Sequence, residues 1–155
     1  MHLRRRLLWL LALLSFPHEW AHAVAFAPWA GWGGVEVLPA ATDAGRRGLA
    51  RYDPVVPEGT PLLAVRAAAV APLPAFLGVA GVGAVALPRT PAVRVPAIAA
   101  LAFWGSLSAG DLAVAADPAA AREAGEFTVP AAAWTEPAAD VLTVLTVLAV
   151  AVVLL

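Results

Sequence analysis

Residues 18–22 read His-Glu-Trp-Ala-His, an H-E-x-x-H pattern. On a helix, His18 and His22 stand four residues apart on one face, so both imidazoles can reach one Zn2+ ion. Glu19 lies beside them, where its carboxylate can take a proton from a water that the metal activates. The pattern sits inside an apolar run, residues 7–30. Charged groups in such a run are costly to place in lipid and call for a partner or a water-filled cavity. The chemistry expected is zinc-dependent hydrolysis at the membrane, with Glu19 as the catalytic base and His18 and His22 as metal ligands.

A catalytic zinc usually takes three protein ligands and keeps one position open. His2, the only other histidine, sits at the basic N-terminus. Asp111 is the one carboxylate besides Glu19 embedded in an apolar segment, which makes it the expected third ligand. Ser108, three residues earlier on the same helical face, is placed to orient that carboxylate. Ala109 and Gly110 leave room for another backbone to approach. The competing roles for Asp111 are a helix N-cap or a partner for Arg66, and Asp117 is the next candidate ligand. Depth gives a separate argument. His18 and His22 lie 12 and 16 residues past Arg6, and Asp111 lies 17 past Arg94. At 1.5 Å per residue these sit about 18, 24 and 26 Å from the basic edge, so three parallel-level side chains can meet.

The elements that must position these residues are apolar helices. The chain has 155 residues, 61% of them hydrophobic and 14% charged, with mean hydropathy +0.80. That balance predicts one all-α integral membrane domain over residues 1–155. About four transmembrane helices are expected, at residues 7–27, 61–87, 95–116 and 139–155. Pro17 should kink or loosen the first. Pro72 and Pro74 leave open whether the second is one span or two short pieces. Without cysteine there is no disulfide framework, iron–sulfur site or thiolate nucleophile. A net charge of −1 gives no electrostatic support for nucleic-acid binding.

Charge sorts the loops. Nine of the eleven acids fall in residues 31–60 and 117–140, whereas the N-terminal segment and the 88–94 turn carry only arginine. Both termini are therefore expected in the cytoplasm of a multi-pass cell-membrane protein. Trp29, Trp32 and Trp134 fall at the outer helix ends, as an aromatic belt would. In the first outer loop, residues 35–38 and 49–56 can pair as a short β-hairpin around a turn at 42–45. Such an edge could dock an extended peptide, although a plain surface loop is the simpler reading. Asp117-Pro118 reads as an N-cap with proline at the first helical position, opening a short helix through Glu123.

Together, His18-Glu19-Trp20-Ala21-His22, Ala71-Pro72-Leu73, and Ser108-Ala109-Gly110-Asp111-Leu112 with Ala116-Asp117-Pro118 resemble the zincin peptidase family of small multi-span membrane proteins. The resemblance covers about residues 15–120 and implies zinc-dependent proteolysis with site-2-protease-like logic. Two departures stand out: Ala109 replaces a common glycine, and the histidine expected after Asp117 is absent. The partners implied are the lipid bilayer and a membrane-associated or extended peptide substrate. Two other readings remain open. One is a non-catalytic metal-binding membrane scaffold. In the other, residues 1–23 form a signal peptide, with Ala21-His22-Ala23 as its small-x-small cleavage site.

Overall fold

The computed structural model describes residues 2–31, 34–37 and 50–155. Seven helices and one strand pair are found there: α1 His2–Ala30, β1 Val35–Val37, β2 Ala50–Tyr52, α2 Leu62–Val70, α3 Pro72–Ala86, α4 Pro91–Gly105, α5 Ala109–Ala116, α6 Pro118–Ala124 and α7 Thr135–Leu154. The chain is thus mostly helical. One helix, α7, is long and apolar enough to cross a membrane, and up to three such spans result if each bent pair, α2–α3 and α4–α5, counts as one. Only 17% of the most apolar stretch of α7 is buried, with Val141, Val144, Leu145, Leu148 and Val152 all exposed. An aqueous surface would penalise that face, whereas lipid would not.

The breaks matter more than the spans. Residues 61–87 form two helices bent by 49° at Ala71. Pro72 has no N–H to donate to the Ala68 carbonyl four residues back, so the helical ladder loses a rung there. Residues 95–116, expected as one helix, also divide. α4 ends at Gly105, and α5 restarts at Ala109 after a bend of 42°. The restart is forced locally. Ser108 Oγ accepts from Asp111 N at 3.1 Å while Ser108 N donates to Asp111 Oδ2 at 2.7 Å, a reciprocal capping box. By contrast, α1 continues through both Pro17 and Pro28, so the expected loosening at Pro17 does not interrupt the helix.

Two apolar clusters hold the assembly. Ala23 and Phe26 of α1 meet Tyr52, Val65, Ala68, Ala69, Val114, Ala121 and Phe127, which joins α1, β2, α2, α5 and α6. Ala80, Leu101, Ala102, Val150 and Leu154 join α3, α4 and α7. The close approach expected at Gly110 occurs instead at Gly105. A Cβ there would lie 3.3 Å from Phe76 Cβ and 3.5 Å from Thr146 Cγ2, so α3, α4 and α7 converge on a residue without a side chain. Arg94, expected in a basic cytoplasmic turn, is buried. Its guanidinium donates to the Pro88, Ala84, Leu87 and Leu154 carbonyls, closing the C-terminal ends of α3 and α7.

β1 and β2 pair antiparallel, with Val35 opposite Tyr52 and Val37 opposite Ala50. The second strand is shorter than residues 49–56, and the expected turn at 42–45, like Trp32, lies outside the described residues. Beyond β2, Val56 N donates to Gly125 O at 2.9 Å, which ties this segment to the end of α6. Asp117 caps α6 through Ala120 N at 3.0 Å, with Pro118 at the first helical position.

Candidate metal centre

His18 and His22 project from one face of α1 toward Asp111 at the start of α5. His22 Nε2 lies 3.1 Å from His18 Nε2 and 3.2 Å from Asp111 Oδ1, and His18 Nε2 lies 3.3 Å from Asp111 Oδ2. Their ligand atoms all fall within 4.8 Å of one another. Tetrahedral zinc with ligand bonds of roughly 2.0–2.1 Å separates its ligands by about 3.3 Å, so these spacings suit such an ion.

The outward ring nitrogens decide which atoms face the centre. His22 Nδ1 donates to Ala68 O at 2.8 Å, and His18 Nδ1 donates to Trp104 O at 2.9 Å. A carbonyl can only accept, so each Nδ1 carries a proton, and in the neutral ring each Nε2 then presents a lone pair. Both carbonyls keep acceptor capacity to spare because of the helix breaks, although Ala68 O also takes a 3.2 Å bond from Ala71 N at the end of α2. Ala68 O would ordinarily bond the N–H four residues on, but that residue is Pro72. Trp104 O would ordinarily bond Ser108 N, which is committed to Asp111. The same two interruptions that bend the apolar segments therefore orient the two histidines. Each break thus finds a partner for a backbone group that it frees, as buried backbone requires.

With both rings neutral and protonated at Nδ1, two imidazole lone pairs and a carboxylate converge on one place. His22 is only 2% exposed, and His18 and Asp111 are mostly buried. Acceptors converging out of water repel unless a proton or a metal ion lies between them. Two nitrogens and one carboxylate are also the donor set of many catalytic zinc sites, so the residues present fit that ion.

Glu19 sits next to this group on the wall of a cavity of about 460 Å3 that His18 also lines. Its Oε2 accepts from Tyr52 N at 2.8 Å, so strand β2 fixes the orientation of the carboxylate. The Tyr52 ring lies nearly parallel to that of His22, with centroids 6.3 Å apart. Burial pushes the Tyr52 phenol up to about 12. Its hydroxyl has no hydrogen-bond partner among the described residues.

The sequence reading pointed to His18, His22 and Asp111 as one group, and the fold brings them together. Ser108 holds the Asp111 carboxylate through its main-chain N–H, not through its hydroxyl, because the segment starts a helix here instead of continuing one. Asp111 serves as capping residue and faces the histidines at once. Arg66 takes no part: its Nε donates to Ala115 O at 2.7 Å. Asp117 caps α6 and is outside the group. The Ala68 and Trp104 carbonyls and the Tyr52 amide carried no side-chain signal, although Pro72 hinted at the first. The chain matches no family model, no curated protein and no solved structure.

Proposed function

We propose that this protein is a zinc-dependent peptidase embedded in the cell membrane, of the zincin type that its motifs resemble. The observation that carries the proposal is the convergence of the two Nε2 atoms and the Asp111 carboxylate beside Glu19. Bound to His18, His22 and Asp111, Zn2+ would supply a Lewis acid that polarises a carbonyl and lowers the pKa of water. The chain's own residues do the rest. Glu19, held by Tyr52 N, accepts the proton of the attacking water and delivers it to the leaving amine. The cavity admits the peptide beside Glu19, and the apolar surroundings limit competing water.

The arrangement in the bilayer is four spans with both termini cytoplasmic, formed by α1, the bent pairs α2–α3 and α4–α5, and α7. Support comes from the acid-free N-terminal segment, the acidic loops and the exposed apolar face of α7. A retained N-terminus is part of this reading. Ala23 and Phe26 are fully buried in the core, so cleavage after Ala23 would unseat α1 and remove both histidines.

The test is zinc content together with hydrolysis. Purified protein should hold about one zinc per chain and cleave unfolded casein in detergent, with Glu19→Gln retaining zinc and losing cleavage. Near-stoichiometric zinc in a His18→Ala/His22→Ala variant would refute the metal assignment. Unchanged turnover by Glu19→Gln would leave a metal-binding scaffold in place of an enzyme.

A further inference from the structure

The cavity beside Glu19 carries information about what enters it. Three elements wall it: α1 through Ser15, His18 and Glu19; the α4–α5 break through Phe103, Ser106, Leu107 and Ser108; and α7 through Ala139, Asp140 and Thr143. At about 460 Å3 it falls in the range of pockets that take small ligands or a substrate side chain. Its chemistry is one-sided. Among the described residues, four hydroxyls and two carboxylates line it, and no arginine does. Ser15 Oγ donates to Ala12 O and Ser106 Oγ to Ala102 O, so each turns its oxygen lone pairs, not its proton, to other partners. The charged groups of the wall, Glu19 and Asp140, can only accept when ionised, and Ser15 and Ser106 have spent their protons on their own helix. Phe103, Leu107 and Ala139 supply the apolar part of the wall.

Asp140 is the group that the zinc chemistry does not use. It stands early in α7, across the cavity from α1, and its carboxylate has no ion pair or hydrogen bond among the described residues. With a divalent ion at the histidines, the carboxylates of Glu19, Asp111 and Asp140 still outweigh it in charge. An apolar wall that ends at a free carboxylate matches a side chain with an aliphatic stem and a cationic head.

We infer that Asp140 is a specificity residue and that the cavity binds a lysine or arginine side chain of the substrate close to the scissile bond. The inference rests on the peptidase reading for its setting, since the cavity opens beside Glu19. Thr143, one turn on along α7, offers a second acceptor to the same head group. The apolar stem lies along Phe103 and Leu107. A neutral side chain would leave Asp140 unpaired, and an acidic one would face both Asp140 and Glu19, so each would be selected against.

The probes are peptide hydroxamates, whose chelating end engages the metal, with lysine, norleucine or glutamate beside that end. Binding is measured on zinc-loaded protein in detergent, so no turnover is required. Wild type should bind the lysine form up to about fivefold tighter than the norleucine form, the upper range for an exposed ion pair. Asp140→Asn should erase the difference, and Asp140→Arg should prefer the glutamate form. Asp140 is exposed and caps nothing, so these variants should keep wild-type zinc content and melting temperature. Equal affinity of wild type for the lysine and norleucine forms overturns the inference. So does a lysine preference that survives in Asp140→Asn. Zinc-loaded protein that binds none of the probes overturns both the cation site and the metal-centred reading. A lysine preference that depends on Asp140, without casein cleavage, removes the peptidase reading and leaves the cation site standing.

Discussion

Asp111 does two jobs that substitution can separate. Its carboxylate accepts from Ser108 N at 2.7 Å in the capping box of α5, and it faces His18 and His22 at 3.3 and 3.2 Å. Asp111→Asn keeps an oxygen that can accept from Ser108 N but removes the negative charge. Asp111→Ala removes both. Loss of the cap should cost about 1 kcal/mol, which for a chain of this size lowers the melting temperature by about 2–4 °C. The metal contribution follows from mass action. Zinc held at about 100 times its dissociation constant stabilises by roughly 2.7 kcal/mol, a shift of about 5–10 °C. Losing the only anionic ligand should weaken zinc at least as much as losing an outer hydrogen-bond partner, by about 100-fold or more, which abolishes that shift. Melting followed by tryptophan fluorescence, with zinc or with chelator, separates the terms. With chelator, Asp111→Asn should melt close to wild type and Asp111→Ala a few degrees lower. With zinc, neither variant should gain stability. Competition against a chromophoric chelator gives the affinities directly. Wild-type zinc affinity in Asp111→Asn would refute the claim that this carboxylate completes the site.

Three further outcomes are expected. Tyr52 is the only tyrosine, so absorbance near 295 nm reads it alone: its midpoint should lie at about 12 in the folded protein and near 10 once unfolded. Because the unfolded chain loses this proton first, stability should fall as pH rises from about 10 to 12, and a folded midpoint near 10 would show that β2 is not docked on α1. Pro72→Ala restores an N–H that competes with His22 Nδ1 for Ala68 O, so zinc affinity should drop by about 10- to 100-fold; a variant whose helix straightens without losing affinity would sever the link between the bend and the ligand. Ser108→Ala removes the hydroxyl but keeps the main-chain donor to Asp111, so it should cost about 1 kcal/mol of stability and leave zinc affinity within a fewfold of wild type, as measured by the same melts and competition.

The sequence by itself determined the site's ingredients. The spacing of His18, Glu19 and His22 needs only helical periodicity, and the isolation of Asp111 in an apolar stretch marks it by the cost of placing a charge there. The N-cap at Asp117 and the pairing of residues near 35 and 52 were legible for the same reason, since local chemistry and period-two alternation act over a few residues. What the sequence did not determine was how the apolar segments divide. A hydropathy pattern reports length and composition, and it reads residues 95–116 as continuous whether or not a helix stops at Gly105. The capping box between Ser108 and Asp111 decides the stop, because these side-chain bonds offer the backbone an alternative to the helical ladder. Only the tertiary structure determined where the freed carbonyls of Ala68 and Trp104 point, that Arg94 closes helix ends instead of standing in a loop, and that the amide of Tyr52 meets Glu19. These contacts use backbone groups that every residue carries, so no residue type announces them. They arise because each buried donor and acceptor must find a partner, and the partner is set by which segments come together in space.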